Sequence, residues 1–387
     1  MSGAIFDFST AGRILFGPGV FEETSAWLPA LGQRVLVVTG ADPTRSDGLM
    51  ALLAKGGCAV DRVSFGGEPS IAVVKGILER LRLFGADSVV GFGGGSPIDA
   101  AKAAAALATN PGEPTDYLEI VGRGQPLVVP PLPMVAIPTT AGTGAEVTRN
   151  AVLTVPEQHL KVSLRGPFLL PELALVDPRL AVGLPSRVTA TTGMDALTQL
   201  AEAYVSGRAN PISDGFALNG LYAARRNLRL AVRDGSDPQA REGMALAALM
   251  SGLALTSAGL GVVHAYASPI GGVFPISHGA ICAALLPSAL FVNLRACRER
   301  ASDGEPLARF TRLARILTDD PQASPEAGAE WVRKLVADLG LGGLRKHGVT
   351  EDWWEDLGQS AGRSNSMKGN PIALIAKEMA DVLRLAG

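Results

Sequence analysis

The first half of the chain alternates short apolar runs with longer segments in which apolar residues recur at helical spacing. Short apolar runs bounded by turn residues are typical of strands that are buried on both faces of a parallel sheet. The predicted strands are 35–39, 60–65, 88–92 and 134–137, and the predicted helices are 47–56, 70–84 and 97–108. This alternation predicts a parallel, doubly wound α/β sheet.

The second half lacks a convincing strand pattern and shows one helical periodicity after another. The predicted helices are 190–205, 211–231, 239–258, 261–271, 279–296, 306–317, 324–339 and 371–385. The segment Gly183-Leu-Pro185 separates the two patterns. We therefore predict two domains, an α/β domain at 1–183 and an all-helical domain at 184–387.

Composition narrows the classes of function that the chain can have. Hydrophobic residues make up 47% of the 387 residues and charged residues 19%, which provides large cores and excludes a disordered chain. The formal net charge is −2, and without runs of Lys or Arg a nucleic-acid partner is not expected. The N-terminus lacks a signal-peptide pattern, and polar residues interrupt the most apolar stretch, 244–260. We expect no membrane segment and a cytoplasmic protein.

The cysteines give no sign of a disulfide framework or a zinc knuckle. Cys58, Cys282 and Cys297 are few and widely separated along the chain. The expectation for all three is a buried thiol in a reducing compartment.

A glycine-rich loop, Gly93-Gly-Gly-Ser-Pro-Ile-Asp99, follows a predicted strand and opens a helix. Glycines let the backbone approach a ligand closely, and the first N–H groups of a helix can bind a phosphate. Ser96 suits the N-cap of that helix, and Pro97 suits its first turn. The spacing differs from the common G-x-G-x-x-G fingerprint. An ordinary strand-to-helix turn would have the same residues, so both interpretations stay open for this loop alone.

A second loop of similar character follows the last predicted strand of the first half. It runs Pro138-Thr-Thr-Ala-Gly-Thr-Gly-Ala-Glu146 and supplies three hydroxyl groups and two glycines. Ligands of open parallel sheets bind at the carboxyl ends of the strands. Two such loops in one sheet favour a site for a phosphate, a ribose or a carboxamide over two simple polar turns.

Candidate metal ligands are concentrated in the helical half. The four histidines of the chain are His159, His264, His278 and His347. His159 and His347 have polar or Gly-rich neighbours and are expected to be solvated, whereas His264 and His278 lie in apolar helical segments. Asp195 and Gln199 share a helix face at i, i+4. A carboxylate and two imidazoles can bind a divalent metal. Hydrogen-bonded core residues would show the same pattern, and the spacing does not force these residues together.

Taken together, these motifs resemble the iron-containing, or group III, alcohol dehydrogenase family. Residues 93–102 resemble its GGGSxxDxAK cofactor loop, and residues 137–146 resemble its second signature. Further similarity is carried by 16–19, 193–198, 263–272, 276–279 and 370–371. The resemblance covers almost the whole chain.

The resemblance implies a dehydroquinate synthase-like architecture in which 1–183 bind the dinucleotide and 184–387 bind metal and substrate. It implies NAD or NADP as cofactor, contacted by Gly94, Gly95, Ser96, Asp99, Thr139, Thr140 and Lys161. It implies Fe²⁺ or Zn²⁺ bound by Asp195, Gln199, His264 and His278, of which Asp195, His264 and His278 are catalytic. The expected reaction is hydride transfer between the nicotinamide and a small alcohol or carbonyl compound, with the metal as a Lewis acid. We also expect a homodimer.

The chain departs from the family at three positions. Gln199 stands where the family usually has His, and its amide oxygen is a weaker transition-metal ligand, so the ion is expected to be weakly bound or absent. Ser268 stands where many members have a His that is thought to relay the proton. Gly40 follows the first predicted strand where the family often has Asp. Its lack of charge and the nearby Arg45 predict that NADP(H) is tolerated.

Three other functions stay open at this point. A metal-independent oxo-acid reductase of the maleylacetate reductase type needs no ion. A lyase related to dehydroquinate synthase shares the architecture, although the motifs fit that family less well. A binding or regulatory protein that has lost its chemistry is disfavoured by the three residues at ligand positions.

Overall fold

The computed structural model describes residues 5–119, 121–158, 160–302 and 304–387. His159, which was expected to be solvated, therefore lies outside the described residues. The backbone divides into two compact units, Ser9–Val182 and Gly183–Gly387, and the N-terminal residues up to Phe8 group with the second. We call them the α/β unit and the helical unit. The pattern of predicted elements gave no sign that the N-terminus belongs with the helical residues.

The α/β unit is built on a six-stranded sheet whose strands all run parallel. The strands of this unit are β1 (Arg13–Phe16), β2 (Arg34–Thr39), β3 (Ala59–Ser64), β4 (Ser88–Gly93), β5 (Met134–Pro138), β6 (Asn150–Val155), β7 (Leu160–Arg165) and β8 (Leu173–Val176). The sheet order is β1-β8-β5-β4-β2-β3, and β6 pairs with β7 in a separate antiparallel hairpin. The chain leaves β2 on one side to form β3 and returns to its other side to form β4. The strand order therefore reverses between β2 and β4, which is where open α/β sheets bind ligands.

Helices cover both faces of the sheet. The helices of the unit are α1 (Thr24–Trp27), α2 (Asp47–Lys55), α3 (Ile71–Phe84), α4 (Gly95–Thr109) and α5 (Pro114–Tyr117). Successive side chains of a strand point to opposite faces. Accordingly, Leu36 and Val38 of β2 join the core that contains residues of α3 and α4, and Val35 and Val37 join the core that contains residues of α2. The predicted doubly wound, parallel α/β sheet is confirmed.

Helix α4 lies unusually close to the centre of the sheet. A Cβ atom at Gly91 in β4 would stand 3.0 Å from Ala101 Cβ and 3.0 Å from Ile98 Cα. Only a glycine in the strand, facing an alanine-rich helix, permits this approach. The close packing holds the N-terminus of α4 at the carboxyl end of β4.

The sequence pattern did not reveal β1, β6, β7 or β8. Strands β1 and β8 have only four residues each, and runs this short cannot be distinguished from loop segments by their pattern. In β6 buried and half-buried residues alternate, because one face of the hairpin packs against the core of the unit. That alternation is short and lies in a stretch without strong turn signals on both sides.

The described part of residues 183–387 contains helices and no strand. Its helices are α6 (Ser186–Val205), α7 (Pro211–Arg233), α8 (Pro238–Ala258), α9 (Val262–Val273), α10 (His278–Arg300), α11 (Glu305–Thr318), α12 (Pro325–Asp338), α13 (Trp354–Arg363) and α14 (Ala376–Leu385). The all-helical prediction is confirmed. Helix α13 was not predicted, since two glycines interrupt it and only Leu357 and Ala361 are buried.

Among the residues that the structure describes, one helix has the length and apolar composition of a membrane span. This is α10, and 78% of its most apolar window is buried inside the protein. Helices α8 and α9 pass the same test only as a pair, and that pair is bent by 104°. The apolar character of α10 is explained by its place in the core of the helical unit.

Candidate active site

The two loops singled out in the sequence lie side by side at the carboxyl edge of the sheet. Their strands, β4 and β5, are neighbours, with Gly93 in register with Pro138. The backbone N–H of Thr139 donates to the carbonyl oxygen of Gly93 at 2.8 Å. The loops therefore present their groups to the same region beside the strand-order reversal.

The glycine-rich loop delivers the start of α4 to this region. Gly93 has φ +149°, and a Cβ there would stand 2.8 Å from Pro97 Cγ. Because of this tight turn the helix begins at Gly95 with Gly94 as its N-cap, so the interpretation of Ser96 as the N-cap is wrong. The first N–H groups of a helix lack intrahelical acceptors, and the helix dipole places partial positive charge there. The start of α4 can thus bind an anion.

Threonine hydroxyls of the second loop face the glycines of the first. A Cβ at Gly94 would stand 3.3 Å from Thr140 Oγ1, and a Cβ at Gly95 would stand 2.9 Å from Thr143 Oγ1. The structure therefore brings Gly94, Gly95 and Thr140 together, and it adds Thr143, which was not among the predicted cofactor contacts. Helix N–H groups and hydroxyls form a donor set that suits a pyrophosphate.

Asp99 carries an unpaired acceptor near the start of α4. Its Oδ2 accepts a hydrogen bond from the backbone N–H of Val152 at 3.0 Å, while its Oδ1 is buried and has no partner among the described residues. Burial raises the pKa of Asp99 to about 6. Buried acceptors are normally paired, so this oxygen fits a hydroxyl or amide group of a ligand. Lys161 of β7 is nearly buried, and its ammonium group pairs with Glu68 Oε1 at 3.0 Å.

Two buried ionisable residues lie behind the loops. Lys102 of α4 donates from Nζ to the carbonyl oxygens of Thr148 at 2.7 Å and Asn150 at 3.1 Å, which ties the second loop and β6 to the helix. Glu146 is only 3% exposed, and it lies close enough to Lys102 that its negative charge acts to raise the pKa of the lysine. Burial raises the pKa of Glu146 to about 7 and lowers the pKa of Lys102 to about 8. Both residues are placed to support the loops rather than to contact a ligand.

Position 40 follows β2 at the other side of the strand-order reversal. A Cβ at Gly40 would meet only Pro97 Cγ, at 4.0 Å, so position 40 faces the start of α4. The nearby carboxylate of Asp42 caps its own turn, since Oδ1 accepts from the N–H of Thr44 at 3.0 Å and from its hydroxyl at 2.6 Å. No negative charge is therefore carried at position 40 itself.

The helical unit brings together the three side chains that were predicted as catalytic. Asp195 lies in α6, His264 in α9, and His278 is the first residue of α10. Asp195 Oδ1 is 3.4 Å from His264 Nε2 and 3.5 Å from His278 Nε2. The sulfur of Cys282, one turn after His278, belongs to the same cluster, in which all four ligand-type atoms lie within 4.8 Å of one another. Cys282 was expected to be only a buried thiol.

Two glycines set the spacing of the helices around the cluster. A Cβ at Gly193 would stand 2.3 Å from Leu228 Cδ1 of α7, and a Cβ at Gly279 would stand 2.0 Å from the carbonyl oxygen of Thr191 in α6. Any side chain at 279 would push α10 away from α6. The glycine that follows His278 therefore lets the imidazole reach Asp195.

Glu202 fixes the orientation of His264. Its Oε2 accepts from His264 Nδ1 at 2.6 Å, and its Oε1 accepts from the backbone N–H of Val263 at 2.7 Å. This contact favours the tautomer with the proton on Nδ1, which leaves Nε2, on the Asp195 side of the ring, available to bind a metal ion. Carboxylates behind metal-binding histidines have this role. Glu202 was not predicted, although it lies seven residues after Asp195 and thus on the same face of α6.

The charged groups of the cluster shift one another's pKa values. Burial disfavours the charged form of each imidazole, but attraction to Cys282 and Asp195 outweighs it and raises the pKa values of His264 and His278. The imidazoles in turn outweigh the effect of burial on Asp195 and lower the pKa of its carboxyl group. A divalent cation can replace these protons, because it supplies positive charge at the same place.

The distances fit a metal ion. Bonds of about 2.0–2.2 Å from nitrogen or oxygen to a tetrahedral ion give separations of about 3.3–3.6 Å between ligand atoms. The two separations from Asp195 to the histidines, 3.4 and 3.5 Å, match this value. Gln199, the fourth predicted ligand, is buried one turn after Asp195, and its Oε1 accepts from the hydroxyl of Ser251 at 3.0 Å. Ser268 is partly exposed one turn after His264.

Comparison with known proteins gives matches along nearly the whole chain. A family model described as iron-containing alcohol dehydrogenase matches residues 11–178, and one described as Fe-containing alcohol dehydrogenase family, C-terminal, matches residues 189–387. The 1,3-propanediol dehydrogenase of Citrobacter freundii is 35% identical over the full length of both chains. The crystal structure of a 1,3-propanediol oxidoreductase superposes with a TM-score of 0.91 at 33% identity, covering 99% of this chain and 100% of that one.

A further solved structure is described as a complex with a dinucleotide. The sulfoacetaldehyde reductase of Bifidobacterium kashiwanohense, in complex with NAD⁺, superposes with a TM-score of 0.85 at 28% identity, covering 99% of this chain and 98% of that one. The family models together cover nearly all of the chain, and full-length similarity exceeds 30% identity. The chain belongs to the iron-containing alcohol dehydrogenase family.

Proposed function

We propose that the protein uses NAD(H) or NADP(H) and a divalent metal to interconvert small alcohols and their aldehydes or ketones. The observation that carries the proposal is the group of Asp195, His264 and His278, in which the two distances from Asp195 to the histidines match those around a metal ion. Relatives named for 1,3-propanediol support a small hydroxylated substrate.

The α/β unit would bind the dinucleotide. The pyrophosphate would lie on the N–H groups at the start of α4, at Gly94, Gly95 and Ser96, with the hydroxyls of Thr139 and Thr140 beside it. The unpaired Oδ1 of Asp99 would accept from a ribose hydroxyl or a carboxamide. Lys161 would exchange Glu68 for an anionic group of the cofactor.

The helical unit would bind the metal, Fe²⁺ or Zn²⁺, through Asp195, His264 and His278. When bound, the metal would supply Lewis-acid polarisation of the substrate oxygen, and the nicotinamide would supply or accept the hydride. Glu202 keeps His264 in the tautomer that offers Nε2, and Asp195 supplies the negative charge that offsets the cation. Position 268 carries a serine where many family members have a histidine, so in alcohol oxidation the hydroxyl proton would leave through water, the ribose hydroxyl or a nearby residue.

We further propose that the protein acts in the cytoplasm as a homodimer and that small molecules, not nucleic acids, are its partners. The three free, buried thiols suit a reducing compartment. Sedimentation of the purified protein would test the dimer.

The test combines metal removal with a substrate panel. The full-length protein, purified anaerobically, is assayed with NAD⁺ and NADP⁺ against small primary alcohols and diols, and with the reduced cofactors against the corresponding aldehydes. We expect turnover that a chelator abolishes and that Fe²⁺ or Zn²⁺ restores. Full activity in chelator would instead support a metal-independent reductase of the maleylacetate reductase type. No turnover with any substrate would reject the dehydrogenase function.

A further inference from the structure

Cys282 is placed differently from the other two cysteines. It follows His278 by four residues in α10, so both side chains lie on one face of the helix. Its sulfur is 3.7 Å from Asp195 Oδ1 and 3.9 Å from His264 Nε2. Cys297 is buried in the same helix but does not belong to the cluster, and Cys58 lies in the α/β unit.

These distances suit a metal ligand. A Zn–S bond of about 2.3 Å and a Zn–N or Zn–O bond of about 2.0–2.1 Å place sulfur about 3.5–3.6 Å from the other ligand atoms of a tetrahedron. The separations of 3.7 and 3.9 Å exceed this value by only a few tenths of an ångström. A χ1 adjustment of one side chain covers such a difference.

Gln199 is less suited to be the fourth ligand. Its Oε1, the only atom of the amide that can bind a cation, accepts a hydrogen bond from Ser251 in α8 at 3.0 Å. A neutral amide oxygen also suits hard ions better than it suits Fe²⁺ or Zn²⁺. The structure thus places a thiol within the cluster, whereas Gln199 offers a neutral oxygen that shares the Ser251 hydroxyl with the carbonyl oxygen of Ala248.

We propose that Cys282, not Gln199, is the fourth protein ligand of the metal site. The proposal rests on the proposed function for the presence of a metal in this site. On binding, the sulfur–metal bond forms, the thiol proton leaves to solvent, and no atom changes its oxidation state. The carboxylate of Asp195 and the thiolate together neutralise a divalent cation.

A thiolate ligand changes which ion the site prefers. Soft sulfur ligands favour Zn²⁺ and similar ions over harder ones, and among Fe²⁺, Co²⁺ and Zn²⁺ the intrinsic order already disfavours Fe²⁺. With equal amounts of Fe²⁺ and Zn²⁺ added anaerobically to the metal-free protein, we expect Zn²⁺ to be retained. The weak binding predicted from Gln199 would then not be observed.

The experiment identifies the atoms that bind the metal. X-ray absorption at the zinc edge of the Zn²⁺-loaded, full-length protein is expected to show one sulfur at about 2.3 Å among nitrogen and oxygen ligands. The Co²⁺-loaded protein is expected to show a sulfur-to-metal charge-transfer band. Neither readout depends on turnover.

Substitutions identify which residue supplies the sulfur ligand. Cys282→Ala should lose the sulfur signal and weaken Zn²⁺ binding at least about 100-fold, more than the loss of an outer-shell partner does. Cys297→Ala, the matched control in the same helix, should keep both. Adding Gln199→His to Cys282→Ala should restore affinity without sulfur, because position 199 lies one turn from Asp195. Folding of each variant is checked by circular dichroism.

Two results would overturn the proposal, and they differ. Stoichiometric Zn²⁺ with only nitrogen and oxygen ligands in the wild type would reject Cys282 as a ligand and leave the metal-dependent function intact. Failure of every variant and of the wild type to bind Zn²⁺, Co²⁺ or Fe²⁺ would reject the ligand assignment together with the metal-dependent function.

Discussion

The two units of the protein assemble their candidate sites from different materials. In the α/β unit the groups that face the ligand region are helix N–H groups, glycines and threonine hydroxyls from two loops, 93–99 and 138–146. In the helical unit they are side chains from distant parts of the chain, since His264 and Cys282 follow Asp195 by 69 and 87 positions. A site made of backbone is defined by local conformation, whereas a site made of side chains is defined by the packing of helices.

This difference determines how each site should respond to mutation. The backbone site should tolerate changes of side-chain chemistry but not added volume at its glycines. The side-chain site should be sensitive to the identity of each ligand. Substitutions in each unit test this difference.

The largest effect is expected from Asp195→Asn. The variant loses the negative charge that offsets the cation, so it should bind little metal and lose roughly 1000-fold in kcat/KM. The Kd for NADH, measured by fluorescence titration, should stay at the wild-type value. A parallel loss of cofactor affinity would show that the two sites are not separable in this way.

The next effect concerns Gly95. Because a Cβ at 95 would press on Thr143 as well as on a ligand, the test compares Thr143→Ala with Gly95→Ala/Thr143→Ala, in which the internal collision is removed. The double variant should bind NADH about tenfold more weakly or worse than the single variant. Equal affinities would mean that the start of α4 does not hold the pyrophosphate. Metal content should be unchanged in both.

Gly40 should control the choice between NAD and NADP. The wild type should accept NADP(H), and Gly40→Asp should shift the ratio of kcat/KM values toward NAD(H) by at least about tenfold, because the carboxylate repels a 2′-phosphate. Position 40 has room for a side chain, since only Pro97 lies within 4 Å. Gly40→Asn, of the same shape without charge, is the control. A wild-type preference for NAD above about 1000-fold would contradict the prediction.

The smallest effect is on stability and depends on pH. Burial raises the pKa of Glu146 from 4.5 to about 7, so between these pH values the folded protein binds more protons than the unfolded chain and loses stability as the pH rises. Glu146→Gln cannot lose this proton. Its free energy of unfolding should equal that of the wild type near pH 4.5 and exceed it by about 1–2 kcal/mol at pH 8.

Urea unfolding at several pH values measures this difference. Glu23→Gln, an exposed glutamate of the same unit, should show no such pH-dependent gain. A constant difference across the pH range for Glu146→Gln would indicate that the residue acts by packing and not by its charge.

The contrast between the units also explains what the sequence could reveal. The strands β2 to β5 and the two loops were predicted because apolar runs, glycines and hydroxyls follow one another within a few residues. Ser96 was misread as the N-cap because the positive φ of Gly93, which starts α4 two residues earlier, leaves no trace in the residue types. Strands β1 and β8 were missed because each is a short run whose partner is distant in the chain.

The metal site was only partly accessible to sequence reasoning. Asp195, His264 and His278 stood out as polar residues in apolar helices and by resemblance, but their contact depends on how α6, α9 and α10 pack. The sequence spacing could have indicated Cys282 and Glu202 as members of the site, since each follows a predicted ligand on the same helix face. A buried cysteine or glutamate has many ordinary explanations, so only the observed distances single these two out.

Helix α10 approaches α6 closely where Gly279 meets Thr191, so a tilt of α10 would pivot about this contact. Gly279 is adjacent to His278, and Thr191 lies one turn before Asp195. His278 is therefore almost at the pivot and moves little when α10 tilts. On the other side extend most of the 23 residues of the helix, or about 30 Å. A tilt of about 5° at this point would move the end near Arg300 by roughly 3 Å and His278 by roughly 0.1 Å. A tilt of the far end of α10 would therefore displace His278 far less than Arg300, whereas a side chain added at position 279 would displace His278 directly.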